Sequence, residues 1–109
     1  MVEVADATVN CLLRVAPAAI PGVAFLSGGQ SAELASARLN EINARFKRAG
    51  KPPPWSLAFS FARAIQQPAL ETWRGDEANV PAAQQAVLKR VKLNCAARRG
   101  EYEPAMETT

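Results

Sequence analysis

The chain has 109 residues, 49% hydrophobic and 21% charged, with a formal net charge of +3 and no histidine. That length and balance fit one folded domain, not a disordered segment, and the lack of histidine excludes His-based triads, His zinc sites and imidazole acid-base pairs. No apolar run reaches the roughly 18 to 20 residues a membrane span requires, Met1 to Asp6 lacks a signal-peptide layout, and Cys11 and Cys95 form no CxxC pair, so a cytoplasmic protein with reduced thiols is expected.

Ala5, Val9, Leu12 and Ala16 recur at helical spacing from Val2 to about Ala16, and Pro17 ends that first helix. After Pro21 and Gly22, the run Val23, Ala24, Phe25, Leu26 is short, apolar and bounded by turn residues, as a strand buried on both faces would be. The turn Ser27-Gly28-Gly29-Gln30 follows. Ser31 then caps a helix with Glu33 in its first turn and Ala35, Leu39, Ile42 and Phe46 as its buried stripe.

Lys47 to Pro54, with three consecutive prolines, reads as a loop. From Trp55 to Phe61 the residues alternate, with Trp55, Leu57, Phe59 and Phe61 on a bulky face and Ser56, Ala58 and Ser60 on a small one, which predicts a strand. Arg63 comes next, then a short amphipathic piece broken by Pro68 and ending near Trp73, with Gly75 as its stop. Pro81 opens a long helix to about Arg99, stopped by Gly100, with Val87, Val91 and Cys95 inward. Residues 101–109 read as a frayed acidic tail, so 1–109 is one segment with a flexible end.

Helix, strand, helix, strand, helix, helix is the rhythm of parallel βα units, which makes the fold class α/β. Two parallel strands leave rows of unsatisfied backbone groups on their outer edges, so the segment is expected to assemble with something else.

The glycine turn Ser27-Gly28-Gly29 lies between a strand and a helix, where glycine lets the backbone approach an anion and the helix adds its positive end. A strand-to-helix turn also requires glycine for backbone reasons alone. Arg63 lies just beyond a strand end and carries a group that grips phosphate bidentately, although an arginine there is more often a surface ion pair. Ser60 is placed to hydrogen-bond a ligand or merely to keep the interior narrow. The basic runs Arg45, Lys47, Arg48, Lys51 and Lys89, Arg90, Lys92, Arg98, Arg99 suit polyanions, but solvated faces and helix C-terminal turns explain them more simply. Trp55, Phe59 and Trp73 read as core and not as base-stacking platforms. Cys11 and Cys95 read as helix packing, and Glu71, Asp76 and Glu77 as solvated acids.

Together, Val15 to Gln30 (VAPAAIPGVAFLSGGQ), Trp55 to Gln66 (WSLAFSFARAIQ), Ala69 to Trp73 (ALETW) and Gly100-Glu101-Tyr102 resemble the C-terminal part of class I fructose-bisphosphate aldolases in order and spacing, from about Val4 to Tyr102. The resemblance implies the C-terminal part of a TIM (β/α)8 barrel, with the two parallel strands as its seventh and eighth. It places Ser27, Gly28 and Gly29 in the loop after the seventh strand, and Ser60, Ala62 and Arg63 after the eighth, as the substrate-phosphate site. Barrels of this kind often hold phosphate between those two loops. The family often has tyrosine and glycine before the arginine, where this chain has Phe61 and Ala62, and Ala62 still offers its amide.

The implied activity is reversible cleavage of fructose 1,6-bisphosphate to dihydroxyacetone phosphate and glyceraldehyde 3-phosphate. It needs no metal and no cofactor, and the partners it implies are the substrate, the triose phosphates, the remainder of the barrel and further copies in a homo-oligomer. The family's Schiff-base lysine lies on an inner strand, with carboxylates and a second lysine on earlier strands. Lys47, Lys51, Lys89 and Lys92 sit in loop or outer-helix contexts, so no catalytic residue maps onto this chain and it is expected to be inactive alone. Many members end in a tail whose terminal tyrosine assists catalysis. Tyr102 matches an earlier structural tyrosine, so tail-assisted turnover is not carried over. The alternatives are a non-catalytic truncated fragment and a small basic module that binds nucleic acid; neither nucleic acid nor membrane is the expected partner.

Overall fold

In the computed structural model, which describes residues 2–26, 29–60 and 62–108 with Ala62 and Arg63 as backbone, the helical stripe at the start folds as α1 (Val2–Val15) with Ala5 and Val9 buried. The chain continues as β1 (Gly22–Phe25), α2 (Ala32–Arg48), β2 (Ser56–Phe59), α3 (Ala62–Trp73) and α4 (Val80–Arg98), with short 3-10 turns at Glu77–Asn79 and Pro104–Thr108.

The two strands pair in parallel, Gly22 opposite Ser56, Val23 opposite Leu57, Ala24 opposite Ala58 and Phe25 opposite Phe59. Parallel neighbours need a crossover, and α2 supplies it. Its start is capped as expected, the Leu34 amide donating to Ser31 Oγ at 3.1 Å, and the stripe Ala35, Leu39, Ile42, Phe46 is buried. On β2 the bulky residues turn inward: Leu57 and the preceding Trp55 are buried, and the Trp55 indole N–H donates to the Pro17 carbonyl at 2.9 Å. Ser56 and Ser60, on the small face, are exposed. Core packing therefore lies on one side of the sheet, against α1, α2 and α4.

Several expectations are corrected. The first strand is covered on one face only, with Val23 and Phe25 partly buried, Ala24 exposed, and Leu26 beyond the strand end and 76% exposed. The reason is that no second layer packs on the small face among the described residues. The second strand is shorter than 55–61 and ends at Phe59; Phe61 lies outside the described residues. The helix before the proline loop runs through Lys47 to Arg48.

Pro68 does not break its helix. It lies inside a continuous α3. A proline there removes the N–H that Ala64 O would accept, and extensive packing on α4 offsets that loss. The Thr72 hydroxyl donates to the Pro68 carbonyl at 2.8 Å. The turn of α3 into the next segment uses left-handed backbone at Arg74 and Gly75.

The inward face of α4 is rotated from the expected one. Arg90, Leu93, Ala96 and Ala97 are buried, Val87 is partly buried, and Val91 and Cys95 are exposed. An apolar count misses this because the buried stripe contains an arginine whose charge is paired internally. Cys11 is exposed as well, and Trp73 is 42% exposed, so neither cysteine nor Trp73 is core. After Gly100 the chain turns back onto the body: Tyr102 is buried, its amide donates to Asn40 Oδ1 at 2.9 Å, and the Pro104–Thr108 turn packs on α2.

Candidate phosphate site at the strand ends

Parallel register makes the C-terminal ends of β1 and β2 neighbours. The ladder pairs Phe25 with Phe59, and the Ser60 amide donates to the Phe25 carbonyl at 2.7 Å. Adjacent strands lie about 4.8 Å apart, so the segments leaving them begin side by side. From one the chain passes through 26–31 into α2, and from the other it enters α3 at Ala62. Both helices start on the chain leaving that end of the sheet, so two helix N-termini, with their positive partial charge, serve it.

Of the expected site residues, Gly29 and Ser60 are described in full, and both are exposed. Gly29 has φ +88° and a Cβ added there would meet nothing within 4 Å. Backbone conformation requires the glycine, and the space beside it is open. Ala62 and Arg63 form the first turn of α3; their side chains, and the expectations on Ser27 and Gly28, lie outside the described residues.

Sequence reasoning missed the contact that holds the loop from the far side. Arg38, on α2, donates from Nη1 to Gln30 Oε1 at 2.9 Å. No helical spacing rule exposes this pair, because Gln30 precedes the helix. Gln30 and Arg38 also line a cavity of about 220 Å³ with Phe25, Leu26 and Phe59, beneath the same strand ends.

A wider cleft of about 790 Å³ lies at the other end of the strands, lined by Ser56, Lys47, Lys51, Arg98, Arg99 and Glu101 among others. It carries cations, yet α2 and α4 both end there, and helix C-termini favour cations and oppose anions. Within the cleft Arg99 pairs with Glu101 at 2.7 Å, and outside it Arg45 pairs with Asp6 at 2.8 Å and Arg48 with Glu41 at 2.6 Å. Mutual pairing and helix ends thus account for these charges. The Arg99 partner holds the Glu101 carboxyl below its ordinary value, opposed in part by desolvation.

Lys47, Lys51 and Lys92 are exposed, and Lys89 is partly buried with its ammonium donating to the Glu107 carbonyl. Among the described residues no group of three or more His, Cys, Asp or Glu side chains is arranged to hold a metal ion, and no helix is long and apolar enough to cross a membrane.

A family model described as glycolytic fructose-bisphosphate aldolase class I matches residues 1–109. The chain is 50% identical to fructose-bisphosphate aldolase C of Rattus norvegicus over 101 residues, 93% of this chain and 27% of that protein. It is 49% identical to fructose-bisphosphate aldolase B of Gallus gallus over 106 residues, 97% of this chain and 28% of that protein. Among solved structures it is similar to fructose-bisphosphate aldolase from Plasmodium falciparum, crystallised with TRAP and a small-molecule inhibitor. The TM-score is 0.86 at 46% identity, covering 94% of this chain and 28% of that one. The chain therefore spans a little over a quarter of the length of these relatives, and its two-stranded parallel sheet with flanking helices is part of a TIM barrel.

Proposed function

This chain belongs to the class I fructose-bisphosphate aldolase family, and from that premise we propose that it forms the substrate-phosphate site of an aldolase barrel, as the C-terminal portion carrying the seventh and eighth strands. The reaction served is reversible cleavage of fructose 1,6-bisphosphate to dihydroxyacetone phosphate and glyceraldehyde 3-phosphate. Ser27, Gly28 and Gly29 supply one side of the site, and Ser60, Ala62 and Arg63 the other. The observation that carries this reading is the parallel register of β1 and β2, which sets the two strand ends beside each other.

A dianionic phosphate at that place meets backbone amides aimed outward from two helix starts, where the macrodipole adds favourable potential. Glycine at 29 keeps the approach open. Arg63 contributes two parallel N–H donors and a full charge, which an ammonium does not reproduce. Holding the phosphate of a bisphosphate fixes the sugar ketone relative to the rest of the barrel. That is a positioning role; it moves no proton.

The Schiff-base lysine is supplied by another part of the barrel. An amine serves as the nucleophile when a pocket depresses its pKa, and three of the four lysines here are exposed while Lys89 is engaged by Glu107. The remaining strands also satisfy the outer edges of this two-stranded sheet and cover the small face of β2. The complete enzyme is a cytoplasmic homo-oligomer in this reading. Replacing Arg63 by alanine in the complete barrel and measuring bisphosphate binding tests the site directly.

A further inference from the structure

Arg90 is a charged residue in an interior position, 4% exposed on the face of α4 that meets α2. A buried guanidinium is strongly destabilising unless paired and hydrogen-bonded. Its partners come from two places far apart in sequence. Nη1 bonds Glu107 Oε2 at 2.6 Å, in the C-terminal turn. Nη2 donates to the Ala32 carbonyl at 2.8 Å and to Ser36 Oγ at 2.6 Å, in the first turns of α2. Ser36, fully buried, donates its own hydroxyl hydrogen bond to Asn94 Oδ1 at 2.6 Å. Glu107 is held in turn by the Tyr102 hydroxyl at 2.8 Å.

This is an unusual place for a cation if only helix stability mattered, because a helix N-terminus is positive and favours anions. The contact does fix where α2 begins. Ala32 is its first residue, and Ser31, immediately before, caps it; Gln30, one further back, is tied to Arg38. The chain from Gly29 thus enters a helix whose start is pinned by Arg90, and Arg90 is aimed by Glu107.

We infer that Arg90 and Glu107 are positioning residues for the phosphate loop, through which the turn after Tyr102 sets substrate affinity. This rests on the reading that the loop binds the substrate phosphate. Loosening the clamp lets the first turn of α2 and its amides shift, which weakens phosphate binding and leaves the distant bond-making groups in place. The expected signature is a change in KM with little change in kcat.

The test uses the complete aldolase carrying this segment. Glu107→Gln keeps the volume and removes the charge, and Arg90→Lys keeps the charge and loses the fork. Each is expected to raise the KM for fructose 1,6-bisphosphate about three- to tenfold with kcat within about twofold, and to speed amide hydrogen exchange in a peptide covering 29–36. Asp6→Asn, which removes only the exposed pair with Arg45, leaves both readouts at parent values. Unchanged KM and exchange in both clamp variants overturns the inference. So does faster exchange throughout the chain with kcat and kcat/KM falling together, since that marks general loss of structure. Should Arg63→Ala leave KM unaltered, the phosphate reading itself fails, and the clamp variants then speed exchange without moving KM.

Discussion

The Ser60 amide donates to the Phe25 carbonyl at 2.7 Å, carrying the parallel ladder one residue past the end of β2. That bond fixes which residue of one exit faces which residue of the other. The register depends in turn on the buried face of β2, since a one-residue slip moves every side chain to the opposite face. Leu57→Ala, at a site 2% exposed, is therefore expected to lower stability by about 2 to 4 kcal/mol, and Ser56→Ala by less than about 0.5 kcal/mol, in denaturant unfolding. Equal effects would show that the bulky face does not hold the register.

Tyr102 is the single tyrosine of the 109 residues, so its ionisation is readable by ultraviolet absorbance. Desolvation first, then the hydrogen bond it makes to Glu107, pushes its pKa up to about 12 from 10.0. A raised pKa means that the unfolded state loses the proton first. The stabilisation is full below about pH 10 and is lost as pH rises towards 12. The tyrosinate midpoint should fall to near its ordinary value in denaturant, and Glu107→Gln should lower it in the folded protein. A folded midpoint near 10 would mean that the C-terminal turn is not packed on the body.

Gly100 has φ +70°, and a Cβ there would lie 3.2 Å from the backbone of Ala44 on α2. Gly50 has almost the same φ, +71°, with nothing within 4 Å. Gly100→Ala is expected to cost about 2 to 4 kcal/mol and Gly50→Ala about 1 kcal/mol, the difference being the close approach of α4 to α2. Thermal unfolding of the two variants measures it, and matching losses would put the cost in the backbone alone.

The sequence carried the strand-helix-strand arrangement plainly because each element there obeys one simple period: alternation in Trp55 to Phe59, the helical stripe Ala35, Leu39, Ile42, Phe46, and a serine cap. It misled where a polar residue stands in the core. Arg90 occupies a buried position of α4, so an apolar count rotated that helix towards Val91 and Cys95. The stretch after Gly100 read as a frayed tail because the partner of Glu107, Arg90, lies 17 positions upstream. Pro68 looked like a breaker because tertiary packing, which no local pattern records, keeps α3 continuous. For the candidate site, the glycine turn and the strand-end arginine were legible locally, and the parallel pairing of β1 and β2, expected from the βα rhythm, is what would set them beside each other.

The four lysines yield a further expectation. Treating this chain with dihydroxyacetone phosphate and borohydride should leave no stoichiometric adduct on Lys47, Lys51, Lys89 or Lys92, because the first two and Lys92 are exposed and the Lys89 ammonium is engaged by the Glu107 carbonyl. A trapped adduct on any of them, found by peptide mass spectrometry, would mean that the nucleophile lies within this segment.

The most direct measurement is bisphosphate affinity in the complete barrel with Arg63 altered. A charge-assisted contact to phosphate is worth on the order of 1.5 to 3 kcal/mol, so Arg63→Ala should raise KM roughly ten- to hundredfold, and Arg63→Lys should recover part of that. Arg74→Ala is the control: Arg74 lies beyond α3, exposed, with Nε donating to the Glu71 carbonyl at 3.1 Å, and its loss should leave KM almost unchanged. An Arg63→Ala enzyme that binds the bisphosphate as tightly as the parent would contradict the shared phosphate site at the ends of the two strands.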